Sequence, residues 1–253
     1  MKHIADVAHG YQQMVRTGAG PALTERPVTQ TARQGGYYNR PTLDQLDCSH
    51  SGVRRAVDAA RVWKDRYNAA MNPANESPAR APSLILSGPN GTGKTHIARA
   101  IQWSRASCPV DETGEPLVAM ARPAGRWFDA ADLVLALAPT QTEWRTVEYA
   151  SVGQLIGLAP FAIVDDLGGE GTIPFVAASE QSFERQARWF RFVDFCYDRQ
   201  VSLIITTNLD IQSGALAEWV GRRAWDRLGE MAPTGQMVGL WDVPSWRVRA
   251  GGR

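Results

Sequence analysis

The segment from Gly88 to Thr95 constrains the fold of this chain more than any other stretch, because it reads G-P-N-G-T-G-K-T. It fits the pattern G-x-x-x-x-G-K-[ST] without a gap, and that pattern forms a phosphate-binding loop between a strand and a helix. The apolar run Leu84-Ile85-Leu86 precedes the segment, and a helix-like stretch, 96–103, follows it. A glycine-rich turn that binds nothing is the alternative, but the flanking strand and helix patterns argue against it.

Within this phosphate loop (Gly88–Thr95), the glycines would let backbone N–H groups curl around a phosphate. The helix that follows would direct its positive end at the same anion. The Lys94 ammonium would lie on the β and γ phosphates of a nucleotide, and the Thr95 hydroxyl would be a Mg²⁺ ligand. The expected nucleotide-binding residues here are Gly88, Pro89, Asn90, Gly91, Thr92, Gly93, Lys94, Thr95 and His96.

The composition is typical of a soluble globular protein, since 44% of the 253 residues are hydrophobic and 21% are charged. A net charge of +1 means that any contact with nucleic acid must come from a local basic patch. Cys48, Cys108 and Cys196 form no C-x-x-C pair, which argues against a zinc site or a disulfide framework. No apolar run is long enough to span a bilayer and no signal-peptide pattern begins at Met1, so we expect a cytoplasmic protein.

Apolar segments alternate with helical patterns through most of the chain. The strand candidates are 84–86, 127–128, 161–164, 201–206 and 237–241, and the longer helix candidates are 51–70, 130–138 and 180–199. Apolar strands separated by helices predict an α/β fold with a five-stranded parallel sheet sandwiched by helices. Residues 1–45 carry turn and linker signals instead, so we expect a short flexible N-terminal region, 1–45, and one domain, 46–253.

Two carboxylates, Asp165 and Asp166, follow the apolar segment Phe161–Val164. An apolar strand that ends in acids, downstream of a phosphate loop, is the Walker B arrangement. Asp165 would hold Mg²⁺ through water, and Asp166 would orient or deprotonate the attacking water. A polar turn is the alternative, since Asp-Asp-Leu-Gly is also good turn chemistry, but the upstream loop favours the functional interpretation. Glu170 lies close by in sequence and could share the role of Asp166.

Asn208 follows the strand candidate 201–206, at the edge of the sheet where parallel strands present ligands. Its amide could hydrogen-bond a γ-phosphate oxygen and the attacking water, although Asn-Leu-Asp could equally be a helix cap. Farther along, the segment 221–228 carries three arginines. They could form a solvated helix face, or one of them could reach a neighbouring subunit's nucleotide and stabilise charge on its γ-phosphate.

The helix candidate 180–199 alternates basic and aromatic residues, which superficially resembles a base-stacking strip. On a helix the aromatics Trp189, Phe190 and Phe192 fall mostly on the buried face, so we expect them to pack in the core. Better candidates for phosphate contacts are Arg54, Arg55, Arg61, Lys64, Arg247, Arg249 and Arg253. This sparse set predicts at most weak binding of single-stranded DNA.

The motifs occur in the order G-P-N-G-T-G-K-T, I-V-D-D-L-G, I-I-T-T-N-L, G-R-R-A-W-D-R-L and S-W-R-V-R. In this order they resemble the AAA+ ATPases of the bacterial replicative-helicase loaders and the ATP-binding proteins of insertion sequences, the DnaC/IstB-like group. The likeness covers roughly residues 37–249. It implies a P-loop NTPase core with no separate C-terminal lid domain, and ATP and Mg²⁺ as cofactors.

The resemblance also implies roles for two arginines. Arg227 corresponds to the arginine finger, with Arg223 as a second candidate, and Arg247 matches the basic residue that senses the nucleotide in cis. The implied function is an ATP-dependent helicase loader with slow hydrolysis. Its partners would be a replicative DNA helicase, single-stranded DNA, and a second copy or an ATPase neighbour when ATP is bound.

Three departures from the family pattern stand out. The second acid of the Walker B pair is Asp166, where many AAA+ proteins carry Glu, so its reach toward the water is shorter. The segment 168–182 is longer and more irregular than such proteins usually need. Residues 1–45 match no known module, although the resemblance implies that this end of the chain binds the partner. Alternative functions are a transposition ATPase that recruits a transposase, and an adaptor in which ATP is bound but not hydrolysed. A metabolic kinase is disfavoured by Asn208 and Arg227 in their expected order.

Overall fold

A computed structural model of the chain contains one parallel sheet of five strands, as predicted. The strands are β1 (Leu84–Ser87), β2 (Arg126–Asp129), β3 (Phe161–Leu167), β4 (Ser202–Thr207) and β5 (Met237–Gly239). Their spatial order is β2-β3-β4-β1-β5, and every pair of neighbours runs parallel. The carboxyl ends of all five strands therefore meet at one edge of the sheet, where open α/β sheets bind their ligands.

The structure describes residues 41–70, 81–104, 125–137, 148–157, 159, 161–173 and 176–246, all of them within the unit Arg40–Arg253. In these ranges the helices are α1 (Ser51–Ala70), α2 (Lys94–Ser104), α3 (Ala130–Ala136), α4 (Glu148–Ile156), α5 (Gln181–Asp198), α6 (Ala215–Val220) and α7 (Arg222–Met231). Short 3-10 turns lie at Leu43–Gln45 and Ala178–Glu180. Residues 1–40 of the predicted N-terminal region lie outside the described ranges.

Most predicted elements are confirmed with ends that shift by one or two residues. The patterns do not predict α4 or α6, because helices of 9 and 6 residues show too few turns for a clear period. β3 also runs farther than expected: it continues through both Walker B carboxylates to Leu167. None of the helices in the described ranges is long and apolar enough to cross a membrane.

Side chains on each strand alternate between two separate core clusters, as the pleat of a sheet requires. Leu84 and Leu86 face the cluster formed with α1 and α2, whereas Ile85 between them faces the cluster formed with α3, α5, α6 and α7. Phe161 and Ile163 on β3 likewise face α1 and α2. The buried sheet is thus covered on both sides and gives the loops at its carboxyl edge a rigid base.

α1 is anchored to the sheet by Trp63, which is fully buried. Its indole stacks on Tyr67 with ring centroids 5.0 Å apart and meets the edge of Phe161 at 5.3 Å. The indole nitrogen donates to Pro82 O at 2.9 Å and to Ser202 Oγ at 3.1 Å, so its polar atom is satisfied inside the core. Truncation of such a buried side chain to alanine lowers the free energy of unfolding by about 3–5 kcal/mol. The packing of Trp63 therefore makes α1 part of the domain core.

α5 lies on the opposite face and confirms the expected core role of two aromatic residues. Trp189 is 1% exposed and Phe192 is fully buried, with their rings 6.1 Å apart in an edge-on arrangement. Phe190 is only half-buried. Arg188 is buried as well. Its guanidinium donates to Glu184 Oε1 at 2.8 Å and to Val134 O on α3 at 2.7 Å, and these hydrogen bonds compensate for its burial.

Candidate nucleotide-binding site

The phosphate loop leaves β1 at the carboxyl edge of the sheet and leads directly into α2, as the motif predicts. Gly88 N–H donates to Thr207 O of β4 at 3.1 Å, which ties the start of the loop to the neighbouring strand. Gly93 has a φ of +96°, in the left-handed region that favours glycine. A Cβ on Gly93 would meet no atom of the described residues within 4 Å, so the inside of the loop is open. Such a cradle of backbone fits a phosphate group.

Lys94, the first residue of α2, is folded back into the loop and is only 6% exposed. Its ammonium donates to Gly88 O at 2.7 Å and to Pro89 O at 2.9 Å. It also donates to Asn208 Oδ1 at 2.9 Å, from the start of α2 to the residue that follows β4. The lysine charge is therefore held within the cradle rather than in solvent.

Thr95 and Asp165 form the second feature of the site. The Thr95 hydroxyl donates to Asp165 Oδ1 at 2.8 Å, and the Thr206 hydroxyl donates to the same oxygen at 2.5 Å. Thr206 Oγ1 in turn accepts from the backbone N–H of Asp166 at 2.9 Å. The two predicted metal ligands, Thr95 and Asp165, are thus in contact, and the Thr206 hydroxyl orients the Asp165 carboxylate.

Asp166 has an unusual backbone conformation for a non-glycine residue, with a φ of 60°. It lies where the pairing of β3 and β4 shifts register, between Val164 and Leu167. Its Oδ1 accepts from Asn208 Nδ2 at 2.8 Å. Left-handed backbone costs a non-glycine residue about 1 kcal/mol or more, so the surrounding structure must hold it in place.

These residues line a cavity of about 870 Å³. The lining residues that the sequence predicts as site residues are Asn90, Gly91, Thr92, Gly93, Lys94, Thr95, His96, Asp165, Asp166 and Asn208. The cavity is also lined by residues that the sequence does not predict as site residues, among them Gln45, Leu46, Asp47, Val53, Arg99, Asp129, Thr206 and Trp246. Asp129 ends β2 and accepts from Ala131 N–H at 3.0 Å. Because all strands present their carboxyl ends at this edge, that rule of parallel sheets could have identified Asp129 and Thr206. Residues 45–47, from the chain before α1, carry no such signal.

Several predicted residues have a different placement. Glu170 does not line the cavity; it is buried against tryptophans of α5 and α6. Arg227 does not line the cavity of its own chain either. Its Nε lies 3.4 Å from Asp194 Oδ1 and its guanidinium lies over the Tyr197 ring at 4.2 Å. Arg247 lies outside the described residues, although the preceding residue, Trp246, donates its backbone N–H to Gly91 O of the phosphate loop at 3.0 Å.

The ligands available for a metal ion suit Mg²⁺. Thr95 and Asp165 offer only oxygen atoms, and Mg²⁺ is usually held by one or two protein oxygens together with phosphate oxygens and waters. Among the described residues there is no cluster of three or more His, Cys, Asp or Glu side chains of the kind that forms an all-protein metal cage. The site thus offers a partial oxygen shell beside a phosphate cradle.

The fold and the site together define a class. A parallel sheet of order β2-β3-β4-β1-β5, with the phosphate loop after β1 and paired aspartates on β3, is a P-loop α/β fold. Solved structures that are similar in fold include the DnaC helicase loader (TM-score 0.51, 21% identity, 80% of this chain and 97% of that chain) and DnaI (TM-score 0.52, 18% identity, 79% of this chain and 90% of that chain). No protein-family model and no curated protein matches the sequence. The structural likeness confirms the predicted fold, a five-stranded parallel sheet covered by helices, as one that the DnaC and DnaI structures share.

Proposed function

We propose that this chain binds and hydrolyses ATP in a Mg²⁺-dependent reaction and uses that cycle to deliver or remodel a ring helicase on DNA. The observation that carries the ATPase proposal is the continuous set of contacts from Lys94 through Asn208 to Asp166. Asn208 thereby links Lys94, the residue proposed to bind the phosphates, to Asp166, the residue proposed to orient the water. A glycine-rich turn without a ligand would not need this link.

In the proposed reaction the backbone of the phosphate loop binds the nucleotide phosphates, and Lys94 offsets the charge on their oxygens. Thr95 and Asp165 would hold Mg²⁺, which supplies charge neutralisation at the phosphate oxygens when bound. Asp166 accepts a hydrogen bond from the attacking water, and Asn208 orients both that water and a γ-phosphate oxygen. Because Asp is one methylene shorter than Glu, we expect slow hydrolysis that a partner stimulates.

Further predicted residues and partners extend this proposal. Arg227 would be donated to a neighbouring site, either in a second copy of this chain or in another ATPase, when ATP is bound. Arg247 would sense the nucleotide in cis, which is consistent with the contact between Trp246 and the phosphate loop. Residues 1–45 would bind the partner helicase, single-stranded DNA would be gripped weakly, and the setting would be the cytoplasm.

The similarity to helicase-loader structures supports the loader rather than the transposition ATPase. The test is affinity capture from the source cells with tagged protein, ATP and Mg²⁺. Asp166→Asn serves as a bait that should hold ATP without hydrolysing it, and Lys94→Ala is the matched control that should not bind ATP. Recovery of a hexameric helicase on the first bait and not on the second supports the loader. Recovery of a transposase in its place would overturn it.

A further inference from the structure

The backbone turns sharply after Asp166, and Glu170 braces that turn. Gly169 N–H donates to Asp166 O at 2.9 Å, and Gly168 has a φ of +94°, which favours glycine. Gly168 N–H donates to Glu170 Oε2 at 2.6 Å, so the Glu170 carboxylate stabilises the turn through a hydrogen bond to its backbone. Glu170 itself is only 7% exposed. A charged group is rarely buried this deeply without several partners.

Two indole N–H groups supply further partners from different helices. Trp189 of α5 donates to Glu170 Oε1 at 3.1 Å, and Trp219 of α6 donates to Oε2 at 3.0 Å. One carboxylate therefore accepts hydrogen bonds from the turn after β3, from α5 and from α6. A glutamine at this position has one acceptor oxygen in place of two, and it must place its NH₂ group against an N–H donor.

Arg185 completes the cluster and balances its charge. The guanidinium of Arg185 lies over the Trp219 ring at 3.6 Å. Burial raises the pKa of the Glu170 carboxyl, and the electrostatic attraction of Arg185 opposes that rise. The buried Nε of Arg185 has no hydrogen-bond partner among the described residues. Arg185 therefore acts on the cluster through stacking and charge, and the hydrogen bonds to Glu170 come from the indoles and the backbone.

We propose that Glu170 is a positioning residue for the proposed ATP hydrolysis: it fixes the turn after β3 to α5 and α6 and thereby holds Asp166 in its left-handed conformation. Asp166 needs such support, because its φ of 60° is unfavourable for a side chain with a Cβ. In this conformation Asp166 Oδ1 accepts a hydrogen bond from Asn208 Nδ2 at 2.8 Å. The inference rests on the proposed function, in which Asp166 orients the water.

The variant Glu170→Gln tests this role, with Glu180→Gln as the matched control because Glu180 is exposed in the same segment. In Glu170→Gln we expect kcat for ATP hydrolysis to fall at least about 10-fold while KM for ATP changes less than about 3-fold, since Lys94 and Thr95 are untouched. Trp219→Phe removes one donor and keeps the ring, so it should lower kcat by a smaller factor. This second variant decides the question if Glu170→Gln does not fold.

A role in general stability predicts a different result. Both variants would then unfold at a lower temperature, but the folded protein would hydrolyse ATP at the wild-type kcat, and that outcome overturns the proposal. Amide hydrogen exchange provides a second test that does not depend on ATP hydrolysis. The segment 166–170 should exchange at least about 10-fold faster in Glu170→Gln, while α2 is unchanged. If the wild-type chain binds ATP without hydrolysing it, the proposed function fails, and unchanged exchange in 166–170 would then overturn the positioning role separately.

Discussion

Asn208 donates its side-chain amide to Asp166 Oδ1 at 2.8 Å, from the end of β4 to the irregular part of β3. The carbonyl oxygen of the same amide accepts from the Lys94 ammonium at 2.9 Å. An amide is suited to this position because it offers a donor to the carboxylate and an acceptor to the ammonium at once. Neither Asp nor Leu, which are close to Asn in size, can satisfy both neighbours. Asn208 is therefore placed to couple occupation of the phosphate cradle to the orientation of Asp166.

Asn208→Ala is expected to lower kcat for ATP hydrolysis about 10- to 100-fold, because Asp166 and the water lose their shared partner. ATP affinity should change less than about 5-fold, since the phosphate loop and the ammonium remain. Steady-state hydrolysis and titration of a fluorescent ATP analogue measure the two quantities. Asn208→Asp places a second carboxylate against Asp166 and should be at least as inactive. Full turnover in Asn208→Ala would remove Asn208 from the mechanism.

Lys94→Ala is expected to weaken ATP binding at least about 100-fold, which corresponds to about 2.7 kcal/mol. The reason is that the ammonium is held inside the cradle by Gly88 O and Pro89 O and offsets phosphate charge there. Isothermal titration calorimetry with Mg²⁺ and ATP measures the loss. Lys64→Ala on α1 is the matched control and should bind like the wild type. An unchanged affinity in Lys94→Ala would contradict the nucleotide site itself.

The parts of this site that lie within one local motif could be predicted from the sequence. The phosphate loop and the sheet follow from patterns of a few residues, and so does the proximity of Thr95 to Asp165, the two proposed Mg²⁺ ligands. Contacts that depend on packing between distant elements could not be predicted. Glu170 illustrates the limit: its spacing from Asp166 suggests a second catalytic acid, but Trp189 and Trp219, far along the chain, draw it into a buried cluster. The left-handed φ of Asp166 could not be predicted either, because it arises where the pairing of β3 and β4 shifts register, past the predicted end of the strand at Val164.

Asp166→Asn distinguishes an ATPase from an adaptor that only binds ATP. The substitution keeps the shape of the side chain and one acceptor oxygen for Asn208, but removes the charge that would attract a proton from the water. We expect ATP affinity within about 3-fold of the wild type and hydrolysis reduced at least about 100-fold. Capture of the partner helicase should then persist in ATP without release. A variant that supports the full biological cycle would favour the adaptor.

Glu170 makes stability depend on pH in a defined direction. Burial raises its pKa above the ordinary value of 4.5, against hydrogen bonds from the backbone and Trp219 and the charge of Arg185. The folded state therefore binds this proton more tightly than the unfolded state. The resulting contribution to stability is fully present below pH 4.5 and is lost as the pH rises through the folded pKa.

The comparison that isolates this effect is between the wild type and Glu170→Gln, whose side chain does not titrate. The difference in their free energies of unfolding, wild type minus variant, should decrease as the pH rises above 4.5 and become constant above the folded pKa. Denaturant unfolding at several pH values from about 4 to about 8 measures it. A difference that grows with pH would mean that the hydrogen bonds and Arg185 outweigh burial and that the pKa is lowered.

Arg227 is the residue proposed to act outside its own chain. It lies on α7, away from the cavity, and its side chain is 37% exposed between Asp194, Tyr197 and Glu230. If it completes a neighbour's site, Arg227→Ala should bind ATP within about 3-fold of the wild type and lose at least about 100-fold in hydrolysis. Arg199→Ala is the control, since Arg199 is an exposed arginine at the end of α5, the helix that Arg227 contacts, and lies over the Phe195 ring at 5.9 Å.

A mixing experiment shows whether the arginine acts in trans. Arg227→Ala keeps an intact phosphate loop, and Lys94→Ala keeps an intact Arg227, so each variant alone should be inactive. Equal amounts of the two should recover a substantial fraction of wild-type hydrolysis, because the finger of one chain can then reach the nucleotide held by the other. Recovery should increase with total protein concentration, as an interface between chains requires. A mixture that stays inactive at all concentrations, while the wild type hydrolyses ATP, would contradict donation of Arg227 to a second copy of this chain.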